Sequence, residues 1–182
     1  MDSRPGDGPH RYFLIAALVV AVGAVGVVLA LATVLQRPPA QTPVVIASAP
    51  APQAEGPECR ALTAALPEQL GEYSRATVME PAPPGAAAWQ TEGGSEPLIL
   101  RCGLDRPLEF VVGAPVQMVD AVQWFKVADG AGEGRSTWFA VDRPVYVALT
   151  LPAGSGPTPI QIISTVIANE LPASKVDPAP AR

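Results

Sequence analysis

Hydrophobic positions along this chain fall into three regimes. The first, "YFLIAALVVAVGAVGVVLALATVL" at 12–35, contains no charged or strongly polar side chain. A helix of this length rises roughly 36 Å, against a hydrocarbon core about 30 Å thick, so the stretch predicts one transmembrane helix. A buried helix of a soluble protein would keep a polar face, and none is present. A cleaved signal peptide is the competing reading, because "ALA" at 30–32 has the small-x-small form that a signal peptidase accepts. The apolar run exceeds the ~7–15 residues of a signal core, which favours an uncleaved anchor.

The second regime, 36–56, is a Pro/Ala-rich linker with no periodicity, expected to be extended and polyproline-like. At ~3.1 Å per residue it would hold the following domain on the order of 70 Å or less from the anchor. The third, 57–171, is periodic and predicts the folded domain; 172–182, "PASKVDPAPAR" after Leu171, reads as a disordered tail.

Within the domain, Cys59, Leu62 and Leu66 recur at helical spacing until Pro67 ends the pattern. "GEYSRATVME" and "GAAAWQTE" predict short strands, and "GGSEP" turns the second into "PLILRCGL", where Leu98, Leu100 and Cys102 share one face. "LDRPLEFVVGAP" and "VDRPVYVALTLP" resemble each other and both predict strands; independent use of turn chemistry explains the likeness more simply than duplication. In the second, Val145, Val147, Leu149 and Leu151 alternate with Tyr146, Ala148 and Thr150. "AVQWFKVA" and "STWFAVD" predict an antiparallel hairpin around "DGAGEGR", a flexible turn, since a strand rather than a helix follows its glycines. In "TPIQIISTVIANEL", Thr158, Pro159 and Gln161 suggest a capping box ahead of the apolar stripe Ile160, Ile163, Ile167 and Leu171. Its β-branched residues leave a strand open as the alternative. The sum is an α+β fold: an antiparallel sheet of about five or six strands packed against N- and C-terminal helices.

Charge and cysteine usage add the compartment. The formal net charge is −5, which gives no attraction to phosphate backbones and argues against nucleic-acid binding. Arg4 and Arg11 precede the apolar helix and Arg37 alone closely follows it. This bias predicts a single-pass plasma-membrane protein with 1–11 in the cytoplasm and 57–171 outside.

The chain has two cysteines, Cys59 and Cys102, and one histidine, His10, which lies before the anchor. A structural zinc site needs four Cys or His ligands, and a nucleophilic thiol needs a histidine beside it; neither is available to the exported part. A disulfide remains, closing a loop of some forty residues and contributing roughly 4 kcal/mol in the chain-entropy picture.

"CRAL", "ALP", "LRCG", "WF" and "RPVYVALTLP", in this order behind one anchor and a Pro/Ala linker, resemble a family of actinobacterial membrane or secreted proteins with a domain of unknown function. The likeness spans about 59–171, and the paired cysteines with "LRCG" are its most specific part. Gln123 stands where that family often carries an acidic residue before the hairpin tryptophan. The resemblance implies the topology and the disulfide, and no substrate.

No Ser-His-Asp or Cys-His arrangement can be built in the exported part without a histidine, and no cofactor or metal is expected. Asp105, Glu109, Asp120 and Asp142 fall near strand ends and supply the only catalytic alternative, an envelope hydrolase working through paired carboxylates. Trp89, Trp124, Trp138 and Tyr146, with Phe139, are large amphipathic groups suited to a binding groove. The expectation is therefore a membrane-anchored envelope protein whose exported domain binds a partner protein or a cell-wall component.

Overall fold

The computed structural model describes residues 11–35, 42–128 and 134–181. Residues 1–10, 36–41, 129–133 and 182 lie outside the described residues, and with them the flanking charges Arg4 and Arg37 and most of the "DGAGEGR" turn. The chain forms two compact units, Met1–Pro39 and Ala40–Arg182.

The first unit is one helix, α1 (Arg11–Leu35). Its stretch Tyr12–Leu29 is long and apolar enough to cross a membrane, and its place near the N-terminus also suits a signal sequence.

The second unit comprises α2 (Pro57–Ala65), β1 (Gln69–Leu70), β2 (Tyr73–Ala76), β3 (Ala86–Gln90), β4 (Leu98–Leu104), β5 (Val116–Val119), β6 (Val122–Ala128), β7 (Ser136–Ala140), β8 (Tyr146–Leu151) and α3 (Thr158–Glu170). The strands make one sheet in the order β1-β2-β3-β4-β8-β7-β6-β5, and every neighbouring pair is antiparallel. The α+β class holds, with eight strands among the described residues rather than five or six. The additions, β1 and β5, are the short edge strands of the sheet.

Alternation decides which side chains face the helices. Leu98, Leu100 and Cys102 on β4 and Val147, Leu149 and Leu151 on β8 point to one side, where they meet Cys59 and Leu62 of α2 with Leu66 at its C-cap, and Ile160, Ile163 and Ile167 of α3 with Leu171 at its C-cap. Cys59 and Cys102 are disulfide-bonded with their Cα atoms 5.6 Å apart, which staples α2 to the middle of the sheet. The last periodic segment is helical, so burial of its isoleucine stripe overrides the β-branched preference. Its expected capping box is absent: the helix is capped at Pro157 without a side-chain hydrogen bond, and the Gln161 N–H donates to the Pro157 carbonyl at 3.2 Å.

Two further expectations are corrected. Residues 105–115 are not a strand: the Phe110 N–H turns back to the Pro107 carbonyl at 3.1 Å, and Phe110 is buried while Leu108 and Val112 are exposed. The pattern of one buried side chain between exposed ones suits a loop that inserts a single anchor. The second unit also extends past 57–171 at both ends. Val44, Ile46 and Ala54 are buried, and Ala179 exchanges backbone hydrogen bonds with the 110–112 loop, donating to Phe110 and accepting from Val112.

Gly103 explains why a glycine follows the bonded cysteine in "LRCG". It sits at φ +84, and a Cβ there would meet the Ala54 Cα at 2.7 Å, because the chain entering α2 crosses β4 at this point and the Gln53 N–H donates to the Gly103 carbonyl at 3.1 Å. Only a residue without a side chain admits so close a crossing.

Candidate functional site

The sheet face opposite the helices is covered differently. At the β2–β3 end, Val44 and Ile46 pack on Ala76 and Ala88, with Ile99 beside them. The Val44 N–H donates to the Thr77 carbonyl at 2.8 Å, and the Val44 carbonyl accepts from Met79 at 2.9 Å. At the β6–β7 end, Phe110, Phe125 and Val141 form a second small cluster joined by Phe139, Tyr146 and Val176, with the Phe110 and Phe125 rings 5.1 Å apart.

Between these covers lies an open cleft of about 640 Å³. Cross-strand register builds its floor: Arg101 on β4 faces Ala148 on β8, Ala148 faces Phe139 on β7, and Thr137 on β7 faces Val127 on β6. One wall is Ala49–Pro50; the other runs from Leu104 through Leu108 to Glu109. Leu108 is 77% exposed.

Arg101 is the one charged side chain of this floor. Its Nη2 donates to the Ala47 carbonyl at 3.2 Å, its Nε is buried without a partner, and no carboxylate among the described residues pairs with it. Burial pushes the guanidinium pKa down, as desolvation does to any cation. Most other polar atoms of the floor are engaged. Thr137 Oγ1 shares a hydrogen bond with Thr150 Oγ1 at 3.0 Å, and β4, β8 and β7 pair on both sides along the floor. The β5 strand pairs with β6 only as far as Phe125 and leaves Val127 with β7 alone. On the rim, Asp105, Arg106 and Glu109 are exposed, and Arg106 Nη1 is bound to Asp177 Oδ2 at 3.0 Å.

The aromatic groove expected from the sequence does not form. Trp89 and Trp124 are fully buried on the helical side, where their large apolar area serves packing and their ring nitrogens find fixed acceptors. Trp89 Nε1 donates to the Pro67 carbonyl at 3.0 Å, and Trp124 Nε1 to Ser164 Oγ at 2.9 Å. Trp138 is half-buried against the same core, with Nε1 donating to Ser136 Oγ at 3.1 Å. Tyr146 lies on the opposite face, half-buried, its hydroxyl donating to the Asp177 carbonyl at 3.3 Å and its pKa raised chiefly by burial. Of the aromatic candidates only Phe139 reaches the cleft.

The four acids also separate. Asp105 and Glu109 stand on the cleft rim, and Asp120 occupies the β5–β6 turn at φ +50. Asp142 Oδ2 is held 2.9 Å from Arg143 Nη1 in a buried pair, and Arg143 Nη2 also donates to the Ala121 carbonyl at 2.7 Å. That pair ties the β5–β6 turn to the start of β8, a structural use of the second Asp-Arg-Pro. Sequence reasoning passed over Arg101, whose signal was a lone cation at an outward position inside the apolar "PLILRCGL".

Fold and cleft together define a class: an antiparallel sheet closed by two helices on one face, with a mostly apolar cleft on the other, in a chain that also carries an apolar N-terminal helix. Residues 18–176 match the family described as protein of unknown function (DUF3515), and the chain belongs to it. No curated protein and no solved structure matches the chain.

Proposed function

We propose that this is a single-pass protein of the actinobacterial cell envelope whose extracytoplasmic domain binds an envelope component, lipid or protein, in the cleft over β4, β8 and β7. The observation that carries the reading is the cleft itself: its volume of about 640 Å³ lies within the ~300–1,000 Å³ usual for ligand sites, and it sets one charge on an otherwise uncharged floor, with Asp105, Arg106 and Glu109 at the rim. An anchored topology is supported by α1. Export of the domain is supported by the Cys59–Cys102 bond, because disulfides persist outside the reducing cytosol, and the arginines around the apolar segment favour a cytoplasmic N-terminus. The likeness of "LRCG" and its companion motifs to actinobacterial proteins supports the source.

Two measurements test it. A reporter active only outside the cytoplasm, fused after Arg182, should be active while the full-length chain stays in the membrane fraction; a shortened soluble form would establish a cleaved signal peptide instead. A photoreactive residue at Leu108, on the cleft wall, should then capture a molecule in living cells, whereas one at Glu170, exposed on α3, should not. Equal capture at both positions, or none at Leu108, would remove the cleft as the binding site.

A further inference from the structure

We propose that the cleft ligand is a single-chain amphiphile with one anionic head, a fatty carboxylate, its head on Arg101 and its chain along Ala148, Phe139 and Val127 toward Leu108. The inference rests on the cleft being the binding site and deepens it. Three features of the floor select this chemistry.

The first is the state of the cation. A guanidinium on an apolar strand face loses hydration, and in this protein it recovers one hydrogen bond, to the Ala47 carbonyl, while Nε is buried without a partner. A carboxylate seated on it would accept charge-assisted hydrogen bonds and neutralise the charge in one contact. The second is what the floor lacks. Along β4, β8 and β7 its backbone groups are taken by strand pairing on both sides, and its one hydroxyl pair is closed between Thr137 and Thr150. A peptide or a sugar laid there would leave amides or hydroxyls without partners, at a cost of roughly 1–3 kcal/mol for each group. An alkyl chain brings no such groups, and the apolar floor gains from covering it.

The third is the rim. Asp105 and Glu109 put negative charge at the mouth, and Arg106 is already engaged by Asp177. Among the described residues that line the cleft, a second negative charge on the head would find no second unpaired cation, so a monoanion fits where a phosphate dianion does not. A chain tethered to a bilayer also meets acyl amphiphiles at high local concentration.

The test uses the full-length chain in native-membrane nanodiscs with a diazirine-bearing palmitate, irradiated and mapped by peptide mass spectrometry. Adducts are expected on α1, which contacts lipid in any case, and on the peptides carrying Arg101–Glu109 and Thr137–Ala148. Arg101→Gln should lower the cleft adducts about tenfold, the worth of one charge-assisted hydrogen bond, with those on α1 unchanged. Ala148→Leu, which fills the floor and keeps the charge, should lower them as well. In both variants an unfolding midpoint in guanidinium close to that of the parent chain confirms the fold. Unlabelled palmitate should compete, and hexadecanol or hexadecyltrimethylammonium should compete at least about tenfold more weakly. Equal competition by hexadecanol, or cleft labelling indifferent to Arg101→Gln, overturns the anionic head. If palmitate leaves no cleft adduct while the photoreactive residue at Leu108 still captures a protein, the fatty ligand fails and the cleft reading survives; if neither probe marks the cleft, both fail.

Discussion

One sheet presents two faces that are closed by different means. The helical face buries a continuous cluster from Leu70 at one end to Trp124 at the other, with α2, α3 and the disulfide within it. The opposite face has two separate clusters with four and three buried residues, in which strand residues are covered by segments with no helical or strand periodicity, Val44 and Ile46 at one end and Phe110 at the other. Hydrophobic stabilisation scales with buried apolar area, so the helical face holds most of the fold's stability. The other face gives up continuity and keeps a gap, the cleft over β4, β8 and β7. The continuous cover and the gap thus lie on opposite sides of the same eight strands.

The largest effect should come from the helical side. Trp124→Ala removes a fully buried ring and leaves Ser164 Oγ, which donates to the Ile160 carbonyl, without the donor it accepted from. A loss of about 3–5 kcal/mol is expected in guanidinium titrations of the purified chain. Phe139→Ala, in the cleft and only half-buried, should cost about 1–2 kcal/mol. Equal losses at the two positions would erase the proposed division between the faces.

The point where the chain passes from one face to the other is the next test. After forming the Ala49–Pro50 wall, the backbone crosses β4 at Gly103 and enters α2. Gly103→Ala would place a methyl group against Ala54 in a left-handed backbone conformation. Overpacking and the unfavourable φ together should cost about 2–4 kcal/mol. The displaced 49–54 segment should also lower palmitate labelling of the cleft although Arg101 is intact, which links the wall to the site. Unchanged stability would mean that the crossing is looser than its geometry implies.

How legible this was depended on which face a residue serves. The helical face could be read almost entirely, because Cys59/Leu62/Leu66, Leu98/Leu100/Cys102 and Ile160/Ile163/Ile167/Leu171 each carry the period of their element. β5 was invisible for the opposite reason: Val116, Gln117 and Met118 are all exposed, so no buried face imposes a period on it. The apolar residues of 105–115 resemble a strand, yet only Phe110 is inserted, and one anchor is enough for a loop. Val44 and Ile46 were hidden among prolines. The cleft itself escaped notice because the meaning of Arg101 depends on which distant segments leave its row uncovered. Such coverage is a tertiary outcome without local periodicity. The tryptophans misled for a related reason: a large amphipathic ring suits a groove or a core equally, and the buried acceptors at Pro67 and Ser164 decided for the core.

The smallest expected effect concerns the fastening of the second face. The C-terminal segment is held to the 105–115 loop by the Arg106–Asp177 pair, by hydrogen bonds from Arg106 and Tyr146 to the Asp177 carbonyl, and by the backbone exchange at Ala179. The Asp177 side chain is 85% exposed, so water screens the charge attraction, and such a pair contributes about 0.2–1 kcal/mol. Arg106→Ala should therefore barely shift global unfolding. Its consequence should be local: the amides of Val112 and Ala179, which bond across this junction, should exchange with deuterium faster, while those of Cys102 and Val147 in the paired centre of the sheet keep their protection. If the central amides lose protection equally, the second face opens only together with the first, and the two faces form a single cooperative unit instead of a stable one bearing a separately fastened cover.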